Sequence, residues 1–247
     1  MKLFDCNCSF GIPGIPVFRI ARNASELIEE MDFCGIDNAL VQHASMRFDS
    51  PIIGNDRIIE GIKDKRLRLL PVWTIIPFQT GELPKPEIFI KKMKDAGVKV
   101  LWSFPNEHRY ALDGCTFAEL FKFMIEYQIP LFVKDSLDKL GTLLDSFPKL
   151  KVVAVNQGPV NGIERYLRPL IEKYPNLYID TSCYVGAYSI EDFCSKYGPD
   201  RLLFGTAFPI NCSGGSILQL LQSNIPDSYK ESIAHGNIEH ILKEVKL

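Results

Sequence analysis

The chain has 247 residues, close to the roughly 250 typical of a single α/β barrel. Hydrophobic residues make up 46% and charged residues 23%, an ordinary globular balance. A net charge of -2 supplies no basic face, which excludes nucleic acid and an anionic membrane as expected partners.

Short β-branched runs alternate with longer amphipathic stretches along the whole chain. The expected strands are Lys2–Asp5, Asn38–Gln42, Arg68–Trp73, Val98–Trp102, Leu131–Lys134, Lys151–Val155, Leu177–Asp180 and Arg201–Gly205. A helical pattern follows each of them. After the first, Asn23 stands at an N-cap, Glu26 at the capping-box spacing, and Gly35 at the stop. Pro84 and Pro86 introduce EIFIKKMKDAGV, in which Ile88, Ile90, Met93 and Val98 alternate with lysines up to Gly97. TFAELFKFMIEYQIP repeats the design, with Pro130 opening the next strand.

Eight consecutive strand–helix units predict an α/β fold closed into a single (β/α)8 barrel, one domain over residues 1–247. An open doubly wound sheet is the alternative, because periodicity alone does not close a barrel. No apolar run reaches about 18 residues and no basic-then-apolar leader is visible, so no membrane span is expected. Seven scattered cysteines without a disulfide framework point to a reducing, cytoplasmic setting.

Functional groups of such barrels come from the C-terminal strand ends. That rule selects Asn7 and Ser9, His43, Thr74, residues 103–109, Lys134, Asn156, Gln157, residues 181–183, and Thr206 with Ala207.

In chain order, several of these strand ends resemble the amidohydrolase-related family of metal-dependent hydrolases. LFDCNCSFG is similar to its first-strand signature, an Asp followed by His-x-His and Gly. FPNEHRYALDG, IPLFVKDS, LKVVAVNQG, PNLYIDTS, RLLFGTAFP and GNIEHIL resemble its later strand blocks and closing helix. The resemblance implies a barrel, hydrolytic chemistry and association of chains, leaving a homodimer open. It also implies metal ligands at positions that here hold Asn7, Ser9, Lys134, Asn156 and Ala207. Amides and hydroxyls are poor ligands for zinc, and Ala207 removes the group that usually serves the family as general base. No metal and no other cofactor is therefore expected. If Asn7 and Ser9 face the axis, as the resemblance implies, strand alternation turns Cys6 and Cys8 to the helices, and the cysteines do not replace the missing ligands.

The expected catalytic residues are His43, for proton handling, and Lys134, a cation for a carboxylate or a carbonyl. An ion pair between Lys134 and inward-facing Asp5 is the structural alternative. A hydrogen-bonded rim position is the equivalent for His43, as mutual satisfaction is for Asn7 and Asn156. The expected substrate-binding residues are Asp5, Asn7, Ser9, Arg47, His108, Arg109, Asn156, Gln157 and Thr206. Together they predict a metal-independent hydrolase-like protein acting on a small, anionic, carboxylated molecule. A non-catalytic barrel that binds a small ligand or a protein partner is the second reading.

Overall fold

The computed structural model describes residues 1–155 and 163–247. Its strands are β1 (Phe4–Phe10), β2 (Asn38–His43), β3 (Leu69–Pro71), β4 (Trp73–Thr74), β5 (Leu101–Ser103), β6 (Leu131–Val133), β7 (Val152–Ala154), β8 (Leu177–Asp180) and β9 (Leu202–Leu203). Every neighbouring pair is parallel: β1 to β3 form one run and β4 to β9 the other. β3 and β4 share one barrel position that changes partner at Val72. The Val72 amide donates to Val41, and the Trp73 amide to Val100.

The seam between β9 and β1 closes the ring and disposes of the open-sheet alternative. Cys6 N donates to Phe204 O at 2.9 Å, Ala207 N to Asn7 O at 2.8 Å, and Ser9 N to Phe208 O at 2.9 Å. Closure leaves no strand edge to be capped.

Two apolar layers follow from the strand period of two. Phe4, Leu40, Val72, Val100, Trp102, Phe132, Val153 and Leu203 fill the barrel. Trp102 stacks between Phe104 and Phe132, with ring centroids 5.6 and 5.0 Å away. The alternate residues, such as Leu101, Leu131, Val152, Leu177 and Leu202, meet the helices. Full burial of side chains of this size contributes about 1.5–3 kcal/mol each. The helix Asn237–Glu244 sends Ile238, Ile241 and Leu242 into the inner layer. Lys2 and Lys151, beside the strand starts, pair with Glu239 and Glu244 of that helix. The bottom is thereby plugged, and the C-terminal mouth is left for chemistry.

The local signals read from the sequence recur in the helices. Asn23 caps Ala24–Cys34 by accepting from the amides of Ser25 and Glu26, each at 3.0 Å. Glu26 returns to Asn23 Nδ2 at 3.1 Å, and Gly35 ends the helix at φ 71°. Among the described residues no helix is long and apolar enough to cross a membrane.

β1 is longer than its apolar start suggested. Pairing continues through Ser9 with Gln42 and Phe10 with His43. Its register slips on the way: Asp5 pairs with Ala39 but Cys8 with Val41, so Cys6 and Asn7 lie together opposite Leu40. Such a bulge breaks the in–out alternation. Cys6 therefore belongs to the inner layer, against the expectation that it faces the helices, while Cys8 packs outward as expected.

Candidate functional site

The bulge sets the base of the mouth. Asp5 Oδ1 accepts from the amides of Asn7 at 2.9 Å and Thr206 at 3.0 Å, and Oδ2 from the Thr206 hydroxyl at 2.5 Å. Asp5 is 1% exposed and Thr206 is fully buried. These two residues, expected at the substrate, bind each other and are buried. Burial pushes the Asp5 carboxyl up to about 7, although the hydrogen bonds from Thr206 and Asn7 pull it down.

A second buried carboxylate, Asp180 at the end of β8, accepts from Ser182 N at 2.9 Å, Ser182 Oγ at 2.6 Å and Asn7 Nδ2 at 2.7 Å. Burial raises its pKa as well. Ser182 Oγ lies 3.4 Å from the same Asn7 Nδ2, on the same side as Asp180, so the two oxygens share one amide hydrogen. One N–H is committed to Asp180, so Asn7 can offer a ligand its other N–H and its carbonyl oxygen.

Above this base lies a narrow recess whose polar wall is Asn7, Ser9, Gln42, His43, Arg47 and Lys134, and whose apolar wall is Phe48, Trp102, Phe104, Val155, Phe208 and Ile210. Its volume is about 30 Å³. A single water needs roughly 10–15 Å³ on this measure, whereas ligand pockets commonly measure about 300–1,000 Å³. Something must therefore move before an organic ligand can enter.

His43 closes β2 and is fixed on three sides. Phe10 meets its ring edge-on at 5.2 Å. Gly11, with φ 98°, passes so close that a Cβ there would stand 3.1 Å from Nε2. Nδ1 accepts from the Ser45 amide at 3.2 Å, so in the neutral ring the proton sits on Nε2. Burial and the charge of Arg57 both lower the His43 pKa, which keeps it neutral. His43 thus presents a hydrogen-bond donor to the recess, with no free lone pair for a base.

The cationic side is a three-residue bridge. Glu107 Oε1 accepts from Arg47 Nε at 2.9 Å, Arg47 Nη2 at 2.8 Å and Lys134 Nζ at 2.8 Å. Arg47 also lies over Phe48 and Phe104, 4.8 and 5.7 Å from the ring centroids. His108 Nε2 holds the Arg47 carbonyl at 3.2 Å, and burial lowers the pKa of that imidazole. Burial would raise the Glu107 pKa, but the Lys134 hydrogen bond and the charges of Lys134 and Arg47 outweigh it and leave it lowered. Two cations against one carboxylate leave one positive charge at the lip.

Lys134 is therefore ion-paired, but to Glu107 and not to Asp5, because the β1 bulge commits Asp5 to Thr206. Sequence reasoning missed Glu107, although it stands inside the quoted FPNEHRYALDG next to His108. Arg109 is exposed and ends the short helix Pro105–His108 in left-handed backbone at φ 58°. Neither it nor His108, both expected at the substrate, is among the described residues that line the recess with Arg47. Asn156 and Gln157 lie outside the described residues.

Among the described residues, the donors at the mouth do not suit a divalent metal. Asn7 turns an N–H group toward Asp180, Lys134 donates to Glu107, and Ala207 has no donor at all. The oxygens of Asp5 and Asp180 are taken up by hydroxyl and N–H donors. Cys6 and Cys8 face opposite layers, and burial drives both thiols well above their ordinary range. Among the described residues no three His, Cys, Asp or Glu side chains gather as a ligand set. Dialysis against a chelator is expected to leave the melting temperature unchanged, and added zinc or manganese to bind well below one equivalent per chain. Thermal denaturation with elemental analysis checks this, and a tightly held stoichiometric metal would refute it.

Parallel strands alternating with helices and closed at the β9–β1 seam define a TIM-type (β/α)8 barrel with its recess at the C-terminal mouth. Residues 62–243 match the amidohydrolase family model, well over half of the chain, and the protein belongs to that family. The match begins after β1 and β2 and so does not include Asn7 and Ser9. Similar solved structures include an uncharacterised TIM-barrel protein from Bordetella bronchiseptica, 18% identical over 99% of both chains with a TM-score of 0.77. A 2,6-dihydroxybenzoate decarboxylase from Rhizobium is 14% identical over 98% of both chains, TM-score 0.72. A 5-carboxyvanillate decarboxylase from Sphingomonas paucimobilis is 13% identical over 98% of this chain and 99% of its own, TM-score 0.72. At these identities the likeness shows the fold. No curated protein matches the sequence.

Proposed function

We propose that the barrel mouth binds a small carboxylate. The observation that carries this reading is the convergence of Arg47 and Lys134 on one oxygen of Glu107, which shows both cations poised around a single oxyanion position. The remaining groups specify the ligand further. The Asn7 carbonyl oxygen asks for a hydroxyl or N–H on the ligand, His43 Nε2 donates to an oxygen, and Trp102, Phe104 and Phe208 supply an apolar wall. Carboxylated aromatics are named as substrates of the two decarboxylases of similar fold, in keeping with this chemistry.

Binding is better supported than turnover. Of the recess-lining groups, His43 has its lone pair occupied and Lys134 is held in an ion pair, so neither stands ready as a base. The metal-independent hydrolase reading draws its support from His43, whose Nε2 proton is suited to polarising a carbonyl. Calorimetry with a panel of mono- and dicarboxylates, followed by turnover assays on their esters and amides, separates the two. Lys134→Met is expected to weaken carboxylate binding about 10- to 100-fold, the loss of one charge-assisted hydrogen bond. Unchanged affinity in that variant would sink the proposal.

A further inference from the structure

We infer that Glu107 is a displaceable gate that selects for anionic ligands; this rests on the reading of Arg47 and Lys134 as a carboxylate site. The axial recess is only about 30 Å³, yet directly beyond Lys134 lies an open recess of about 350 Å³ lined by Asn106, Glu107, Lys134 and Asp135. Lys134 belongs to both walls. The Arg47–Glu107–Lys134 bridge therefore stands between a space too small for an organic ligand and one of ligand size. Opening the bridge joins them.

Glu107 is suited to move. Its side chain is 24% exposed, and it rides on a one-turn helix, Pro105–His108, that follows the end of β5. At the destination Lys139 and Asn106 stand ready to receive it, although they already serve Asp135 Oδ1, while Asp135 Oδ2 is buried with no hydrogen-bond partner among the described residues. Asp135 Oδ1 accepts from Asn106 Nδ2 at 3.1 Å and pairs with Lys139 at 3.2 Å.

The exchange also explains selectivity. An incoming carboxylate can take over the three charge-assisted hydrogen bonds that Glu107 Oε1 holds, so the swap replaces like with like. A neutral ligand leaves both cations without their partner after Glu107 departs. In this scheme Glu107 carries the specificity: it fills the oxyanion position until a ligand of the same charge replaces it. The alternative role, a fixed strut that holds the cations for the ligand, predicts the opposite response to its removal.

The test compares benzoate binding by calorimetry in the full-length protein and in its Glu107→Gln and Glu107→Ala variants, each first shown to unfold cooperatively. A gate predicts that both variants bind benzoate about tenfold tighter and that the gain disappears when Lys134→Met is added. In a crystal structure of the wild-type benzoate complex, the Glu107 carboxylate should lie in the outer recess. Affinity that is unchanged or weaker in the variants overturns the gate while leaving the carboxylate site intact. A complex in which Glu107 Oε1 still accepts from both cations overturns it whatever the affinities. If no form binds benzoate, or the gain survives Lys134→Met, the carboxylate-site reading itself fails and the gate falls with it.

Discussion

Replacing Gly205 by alanine is expected to cost about 3 kcal/mol of stability or more, far beyond the usual effect of one added methyl group. A Cβ at this position would lie 2.0 Å from Asp180 Oδ1, 3.0 Å from Asp180 Cγ and 3.3 Å from Asn7 Cβ. Asp180 cannot simply swing aside. Its carboxylate holds Ser182 and the Asn7 amide, and all of these groups are buried. Moving it leaves buried donors unpaired, each at about 1–3 kcal/mol. Gly215 is the matched control, since a Cβ there meets nothing within 4 Å. It lies inside the helix Ser213–Gln222, where alanine is favoured over glycine by roughly 1 kcal/mol. Urea denaturation should therefore shift the two variants in opposite directions. A Gly205→Ala protein within about 1 kcal/mol of wild type would show that the Asp180 network yields and does not fix the Asn7 amide.

The contrast between those glycines marks what a sequence can disclose. The eight barrel positions were legible because strand–helix alternation is periodic, and the capping of Ala24–Cys34 was legible because Asn23, Glu26 and Gly35 lie within one local segment. The gathering of Asn7, Ser9, His43, Arg47 and Lys134 at one recess follows from the strand-end rule together with closure of the barrel. Partner choice was not legible. Whether Lys134 meets Asp5 or Glu107 depends on a register slip of one residue in β1, and neither hydrophobic period nor composition signals a bulge between Cys6 and Asn7. The same slip placed Cys6 inside and tied Asp5 to Thr206 across the β9–β1 seam. The left-handed backbone at Arg109, φ 58°, was likewise not legible, because nothing in the residue type signals it.

Because Asp5 is buried without a cation, the protein is expected to gain stability from this group on mild acidification. Its folded pKa of about 7 lies above the ordinary carboxyl value of 3.8. A carboxyl raised in this way is favoured in its protonated form. The contribution is full below the unfolded pKa and is lost as pH rises from about 3.8 to about 7, because the folded state binds the extra proton throughout that window. Between about pH 8 and about pH 5 the expected gain is about 2–3 kcal/mol, two pKa units at 1.36 kcal/mol each. Asp180 shifts in the same direction, also through burial. His43 and His108 act oppositely: their lowered pKa values mean that stability falls as pH drops through about 6.5. The total slope mixes these signs, so the informative quantity is the difference between wild type and Asp5→Asn, which cannot ionise. Measured by urea denaturation at the two pH values, wild type should gain on the variant as pH falls. A difference that stays flat would mean that Asp5 ionises near its ordinary pKa, and that the hydroxyl and amides of Thr206 and Asn7 suffice to hold a buried negative charge at the base of the mouth.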